Sequence, residues 1–177
     1  IDQQKPAHIP DDIPAYRLAD KLEDVNLDED KLLEAATLAL CWSRAWAGGG
    51  AHGTVYSVKP AQVSKTANTG EFVGKGAFIV RGQRQWFKDL DVQIGVGIIA
   101  VNGVPLLMGG TPSTVKKICT RYAILAPGLT KKEQLANKIY KNTGLVTDDI
   151  LGVLPGAGQI IEDYGIFSAP KTIEEEE

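Results

Sequence analysis

Six basic residues lie in the stretch from Val58 to Lys88, VKPAQVSKTANTGEFVGKGAFIVRGQRQWFK: Lys59, Lys65, Lys75, Arg81, Arg84 and Lys88, against one acid, Glu71. Cations this dense suit a phosphodiester backbone better than small-molecule chemistry. Lysine and arginine position RNA through salt-sensitive contacts to phosphate. Ser64 and Thr66, with the backbone of Gly70 and Gly76, can add neutral hydrogen bonds. Trp86 and Phe87 could stack on bases, although core packing competes and is favoured for at least one of them. A second candidate phosphate site is Gly109-Gly110-Thr111, which leads into a short helix whose last turn holds Lys116 and Lys117. Exposed N–H groups at a helix start can hold a phosphate; plain capping by Thr111 is the favoured competing use.

Other chemistry finds little support. Neither His8 nor His52 has a Cys, Asp or Glu partner at metal-ligand spacing, so no metal is expected. No Ser/His/Asp or Cys/His arrangement sets a nucleophile on a turn, so no catalytic residue and no cofactor are assigned. Gly48–Gly50 and Gly156–Gly158 lack the ending of a phosphate loop and read as a helix stop and a turn. Cys41 and Cys119 do not make a disulfide framework and read as small buried hydrophobes of a reducing, cytoplasmic setting.

The formal charge of −3 over 177 residues hides a partition. Residues 1–34 hold ten acids and four bases, residues 35–147 four acids and fourteen bases, and residues 148–177 eight acids and one base. The nets of −6, +10 and −7 sum to −3. A basic middle between acidic ends fits a polyanion-binding body, with an ordinary lysine-coated surface as the alternative. No run of about 18 apolar residues offers a membrane span. The start Ile-Asp-Gln-Gln has neither Met nor the form of a signal peptide, which suggests a piece of a longer protein.

The elements that must position these residues read as an α+β domain. The expectation is a mixed, mostly antiparallel sheet, one long buried N-terminal helix and two or three shorter helices. Residues 1–27 read as an acidic arm or linker, 28–162 as the domain, and 163–177 as an acidic, disordered tail. Asp28 caps a helix whose apolar stripe runs through Leu32, Leu33, Ala36 and Leu40 to Trp46, with Trp42 and Trp46 on one face. Gly48-Gly49-Gly50 ends it. Residues 54–58 alternate as a strand, and 61–76 form a long polar loop. Residues 77–81 and 85–88 read as a strand pair across Gly82–Arg84. A strand over 92–101 carries Gly95 and Gly97, which allow a bulge or close approach of another backbone. Asn102-Gly103 turns it into a returning strand, 104–108. Thr111 and Pro112 open a short helix. A strand over 119–126, a helix over 131–142 stopped by Gly144, a short helix to Leu151 and a last strand over 159–161 follow.

Four runs, EAATLALCWSRAW, VYSVKPAQVSKTANTGEFVGKGAFIVRGQRQWF, GGTPSTVKK and VLPGAG, together resemble the NFACT family, which includes the eukaryotic factor NEMF, the bacterial RqcH and proteins once called fibronectin-binding. The central VSKTANTGEFVGKGAFIVRG is the most specific of them. The likeness is to the C-terminal part of the RNA-binding NFACT-R domain, in an archaeal style, over roughly Leu27 to Ile161. It implies a cytoplasmic role in translation: binding tRNA and the large ribosomal subunit when a nascent chain is stalled, so that residues are added to that chain. The residues it carries over are Lys59, Ser64, Lys65, Thr66, Gly70, Glu71, Lys75, Gly76, Arg81 and Gly82. The family's upstream Asp-x-His-Gly segment and its N-terminal domain have no counterpart in this sequence, so tail addition by this chain alone is not expected. A protein-interaction module that docks ribosomal or quality-control partners through the acidic arms, without touching RNA, is the alternative. A nucleotide enzyme using Gly109–Ser113 is the weakest reading.

Overall fold

The computed structural model of the chain describes residues 28–168. The arm at 1–27, His8 and the acidic end from Glu174 lie outside the described residues.

The architecture is α+β, and every strand pair among the described residues is antiparallel. In chain order the elements are α1 (Glu29–Cys41), α2 (Arg44–Ala47), β1 (His52–Ser57), a 3-10 turn (Pro60–Gln62), β2 (Val63–Ser64), β3 (Ile79–Val80), β4 (Gln85–Asp91), β5 (Ile94–Val101) and β6 (Val104–Gly110). There follow α3 (Pro112–Ile118), β7 (Arg121–Thr130), α4 (Lys132–Thr143), α5 (Thr147–Val153) and β8 (Gly158–Tyr164). Strands β6-β5-β7-β8 make the main sheet; β1 pairs with β4 and β2 with β3 in two small ones.

The main sheet is built on β5. Ile94, Val96 and Ile98 point to one face, where Ala123 and Leu125 of β7, Leu135 and Ile139 of α4, and Ile150 and Leu154 around α5 complete the core. On the opposite face Gly95 and Gly97 leave room for α3. A methyl group at Gly95 would overlap the Val115 side chain, and one at Gly97 the Cys119 sulfur. Asn102 and Gly103 both have positive φ, 51° and 80°, the two-residue turn that joins β5 to β6 in register. Gly144, at φ 70°, ends α4 in the left-handed conformation.

Several expectations need correction. The N-terminal helix is shorter and less buried than the stripe suggested: only Ala36, Leu40 and Cys41 are buried in it. It stops at Cys41 because the Ser43 hydroxyl competes for the backbone, donating to the Leu40 carbonyl (2.7 Å) and accepting from the Ala45 amide (3.1 Å). Trp42 and Trp46 therefore do not share a helix face. Trp46 is buried and donates its indole N–H to the Ala157 carbonyl (2.7 Å), while Trp42 is half exposed. The tail does not begin at 163, since β8 runs to Tyr164 and Ile166 is fully buried. Asp163 fastens this end by accepting from the amides of Ile166, Phe167 and Ser168. The returning strand does not end at 108, since Gly109 and Gly110 are still paired residues of β6.

Cys41 is buried and its thiol donates to the Gln93 carbonyl (3.2 Å). Burial pushes its pKa up to about 11 and raises that of Cys119, so neither is poised as a thiolate. Among the described residues both are free thiols, no group of His, Cys, Asp and Glu could hold a metal, and no helix is long and apolar enough to cross a membrane.

Candidate nucleic-acid interface

The basic stretch folds, but not as one strand pair. Residues 79–80 pair with 63–64 (Val63 opposite Val80, Ser64 opposite Ile79), whereas β4 pairs with β1. The chain on either side of Gly82, which has φ 84°, thus belongs to two different small sheets. Gln62 enforces this partition. Its carboxamide donates to the carbonyls of Arg81 (2.8 Å) and Gln83 (2.7 Å) and accepts from the Lys59 amide (2.9 Å), while its own carbonyl receives the Arg81 amide (2.9 Å). One glutamine therefore ties the start of the basic stretch to its end. Nothing in the local sequence distinguished Gln62 from its neighbours.

The individual cations meet different fates. Lys59 is exposed at the head of the 3-10 turn. Lys65 follows β2, with its ammonium 5.1 Å from the centre of the half-exposed Phe78 ring. Lys75 is exposed on the turn closed by the Ala77 amide and the Gly74 carbonyl (3.0 Å). Arg84 lies over the Tyr56 ring, 4.7 Å from guanidinium carbon to centroid. Lys88 is exposed on β4. Cation–π contacts hold a cation in place while leaving its charge uncompensated. Among the described residues no carboxylate pairs with any of these five.

Arg81 is the exception. Its guanidinium meets the Glu71 carboxylate at 2.6 Å, and the same oxygen accepts the Asn68 amide (2.8 Å). The pair fastens the 68–71 turn to the end of β3, so that Arg81, alone among the six cations, already has a carboxylate partner among the described residues. Ser64 is also partly engaged: its hydroxyl accepts the Thr66 amide (3.0 Å).

Strand alternation sorts the aromatic residues. Phe87 is buried, 8% exposed, and Trp86 points out, 51% exposed. Between Gly53 and Val55 the β1–β4 register shifts, so that Lys88 and Asp89, the latter at φ 55°, oppose the single residue Thr54. This bulge lets Phe87 and Leu90, three residues apart, both reach the core. It leaves Trp86 and Lys88 outside.

The second candidate, at the start of α3, is filled by the protein itself. Thr111 caps the helix by accepting the Thr114 amide (3.3 Å). The Glu34 carboxylate from α1 then accepts from the hydroxyls of Thr111 (3.2 Å), Ser113 (3.4 Å) and Thr114. The Thr114 hydroxyl first, with Thr111, Ser113 and the charge of Lys117 behind it, holds this carboxyl below its usual pKa against the opposing effect of burial. Lys116 is paired with Glu162 at 2.8 Å. Of the residues expected to hold a phosphate here, Gly109 and Gly110 lie in β6, the Thr111 hydroxyl faces Glu34, Lys116 is paired with Glu162, and Lys117 is exposed; α3 itself has seven residues.

Residues 14–82 match the family described as NFACT protein RNA binding domain. That match starts inside the stretch 1–27 set apart above as an arm, and it ends before Arg84, Lys88 and the aromatic pair of β4. Over 141 residues the chain is 35% identical to the archaeal Rqc2 homolog aRqcH of Methanocaldococcus jannaschii, covering 78% of this chain and 21% of that protein. Over 68 residues, 38% of the chain, it is 37% identical to ribosome quality control complex subunit NEMF of Homo sapiens and 35% identical to the NEMF homolog of Drosophila melanogaster, covering 6% and 7% of those proteins. The chain thus spans about a fifth of the length of the first relative and less of the others. No solved structure matches it significantly.

Proposed function

The chain belongs to the NFACT family, and from that premise we propose that it is the RNA-binding module of a ribosome quality-control factor, meeting tRNA or ribosomal RNA on the large subunit. The observation that carries this reading is the uncompensated charge of Lys59, Lys65, Lys75, Arg84 and Lys88, set around a ribbon whose turns are fastened by Gln62 and by the Arg81–Glu71 pair. Ser64 and Thr66 stand beside Lys65 as neutral donors. Phosphate neutralisation needs cations that the protein has not already neutralised, and it makes affinity fall with salt. The reading is one of binding, and it assigns no cofactor.

Fluorescence anisotropy with tRNA across a salt series tests this. Submicromolar binding at low salt, weakened by Lys65→Gln, Arg84→Gln and Lys88→Gln together, is expected. Binding that is weaker than micromolar and indifferent to those three substitutions would refute it. The competing reading, docking through the acidic arms, concerns residues outside those described. It predicts ribosome capture that survives nuclease and is lost on removal of residues 1–28.

A further inference from the structure

The phosphate reading leaves an exposed aromatic pair of this region unused. On the outer face of the β1–β4 pair Tyr56 stands opposite Trp86, ring centroids 5.1 Å apart and planes inclined by 60°. Trp86 is 51% exposed and Tyr56 40%. Leaving that much apolar ring surface in water forgoes the burial that usually fixes such side chains. Arg84 lies over Tyr56, which sets a guanidinium beside the rings with no carboxylate against it. Lys88, two residues beyond Trp86, is exposed on the same strand, and Lys59 follows Tyr56 by three residues where the chain leaves β1. The acids closest in sequence are Asp89, in the bulge, and Asp91, which is held by His52 at 2.9 Å.

Resting on the RNA reading and refining it, we infer that this face takes an unpaired nucleotide, its base stacked on Trp86 beside Tyr56 and its flanking phosphates met by Arg84 and Lys88. Charge complementarity chooses the occupant. An apolar protein segment would use the rings and leave the cations idle. A continuous duplex would use the cations but keeps its bases stacked within itself. A single-stranded nucleotide presents both a π-face and a phosphate, the two chemistries found side by side on this face. Every base has such a face, so the site is tolerant of sequence.

Two RNAs of equal length test this with the full chain: a hairpin with an unpaired loop and a continuous duplex. The expected result is tighter binding of the hairpin, with Trp86→Ala weakening it by roughly five- to a hundredfold and leaving the duplex within about twofold. Trp86→Phe, which keeps a ring, restores most of the loss. A series of abasic substitutions in the loop, used with the unaltered protein, reproduces the loss at one position without relying on the fold of any variant. Equal affinity for hairpin and duplex, with no abasic position mattering, overturns the inference and leaves phosphate binding intact. Failure to bind either RNA removes the RNA reading itself, and the stacking site with it.

Discussion

Around α3, two charged side chains are engaged inside the protein. Glu34 accepts from three hydroxyls, and Lys116 is paired with Glu162. Along residues 59–88 one ion pair forms, Arg81 with Glu71, and the remaining cations lean on rings or stand in water. Both regions combine glycine, hydroxyl side chains and lysine in sequence. The difference is who neutralises the charge. A helix start whose hydroxyls already face a carboxylate has fewer donors to give a phosphate, whereas a cation held by a ring keeps its full field.

The largest test of this contrast is mechanical. Gly95→Ala drives a methyl into Val115 beneath the first region and should remove about 3 kcal/mol or more of stability. Gly76→Ala, in the ribbon, meets nothing within 4 Å and should cost only the left-handed φ, about 1–2 kcal/mol. Thermal unfolding of the two variants decides; equal losses would mean that the regions are equally packed.

Next, Glu34→Gln should cost about 1–2 kcal/mol, because three donors lose an ionised acceptor. Its folded pKa is lowered, so its contribution is complete above the ordinary value of 4.5 and drains away as pH falls through the lower folded value. The Gln variant should therefore lose less stability than the parent on acidification below that point. RNA affinity should stay within about twofold; a large gain would mean that Glu34 masks an anion site after all.

Single replacements Lys65→Gln, Arg84→Gln and Lys88→Gln should each lower the slope of log affinity against log salt by about 1, with stability changed by less than about 0.5 kcal/mol. Lys116→Gln should leave that slope alone. A further test concerns the exposed Arg81–Glu71 pair. Either Arg81→Gln or Glu71→Gln should cost under about 1 kcal/mol, and both should weaken RNA binding alike by loosening one turn. A clearly greater loss from Arg81 alone would place it among the residues that touch phosphate.

Legibility followed the range of the interaction. The Asn102-Gly103 turn, the Gly144 stop, the Thr111-Pro112 helix start and the room made by Gly95 and Gly97 were all readable, because each depends on the backbone freedom of one or two residues or on strand alternation. The helix break at Ser43 and the bulge at Lys88-Asp89 were not. Each turns on a local competition that packing settles, in the second case by drawing both Phe87 and Leu90 inward. The pairing of 79–80 was misjudged for a different reason. The nearest strand in sequence, β4, was claimed by β1, and Gln62 held β3 to β2 instead.

Alone, the sequence determined the α+β class, the Asn102-Gly103 turn and the concentration of positive charge between Val58 and Lys88. It could not determine which of those charges stay uncompensated. Glu34 reaches Thr114 across 80 positions and Lys116 reaches Glu162 across 46, while Arg84 reaches back to Tyr56 only because β1 pairs with β4. Such partnerships follow from register and core packing, and an attraction that acts over a few ångströms cannot be read from a chain until the fold has set those distances.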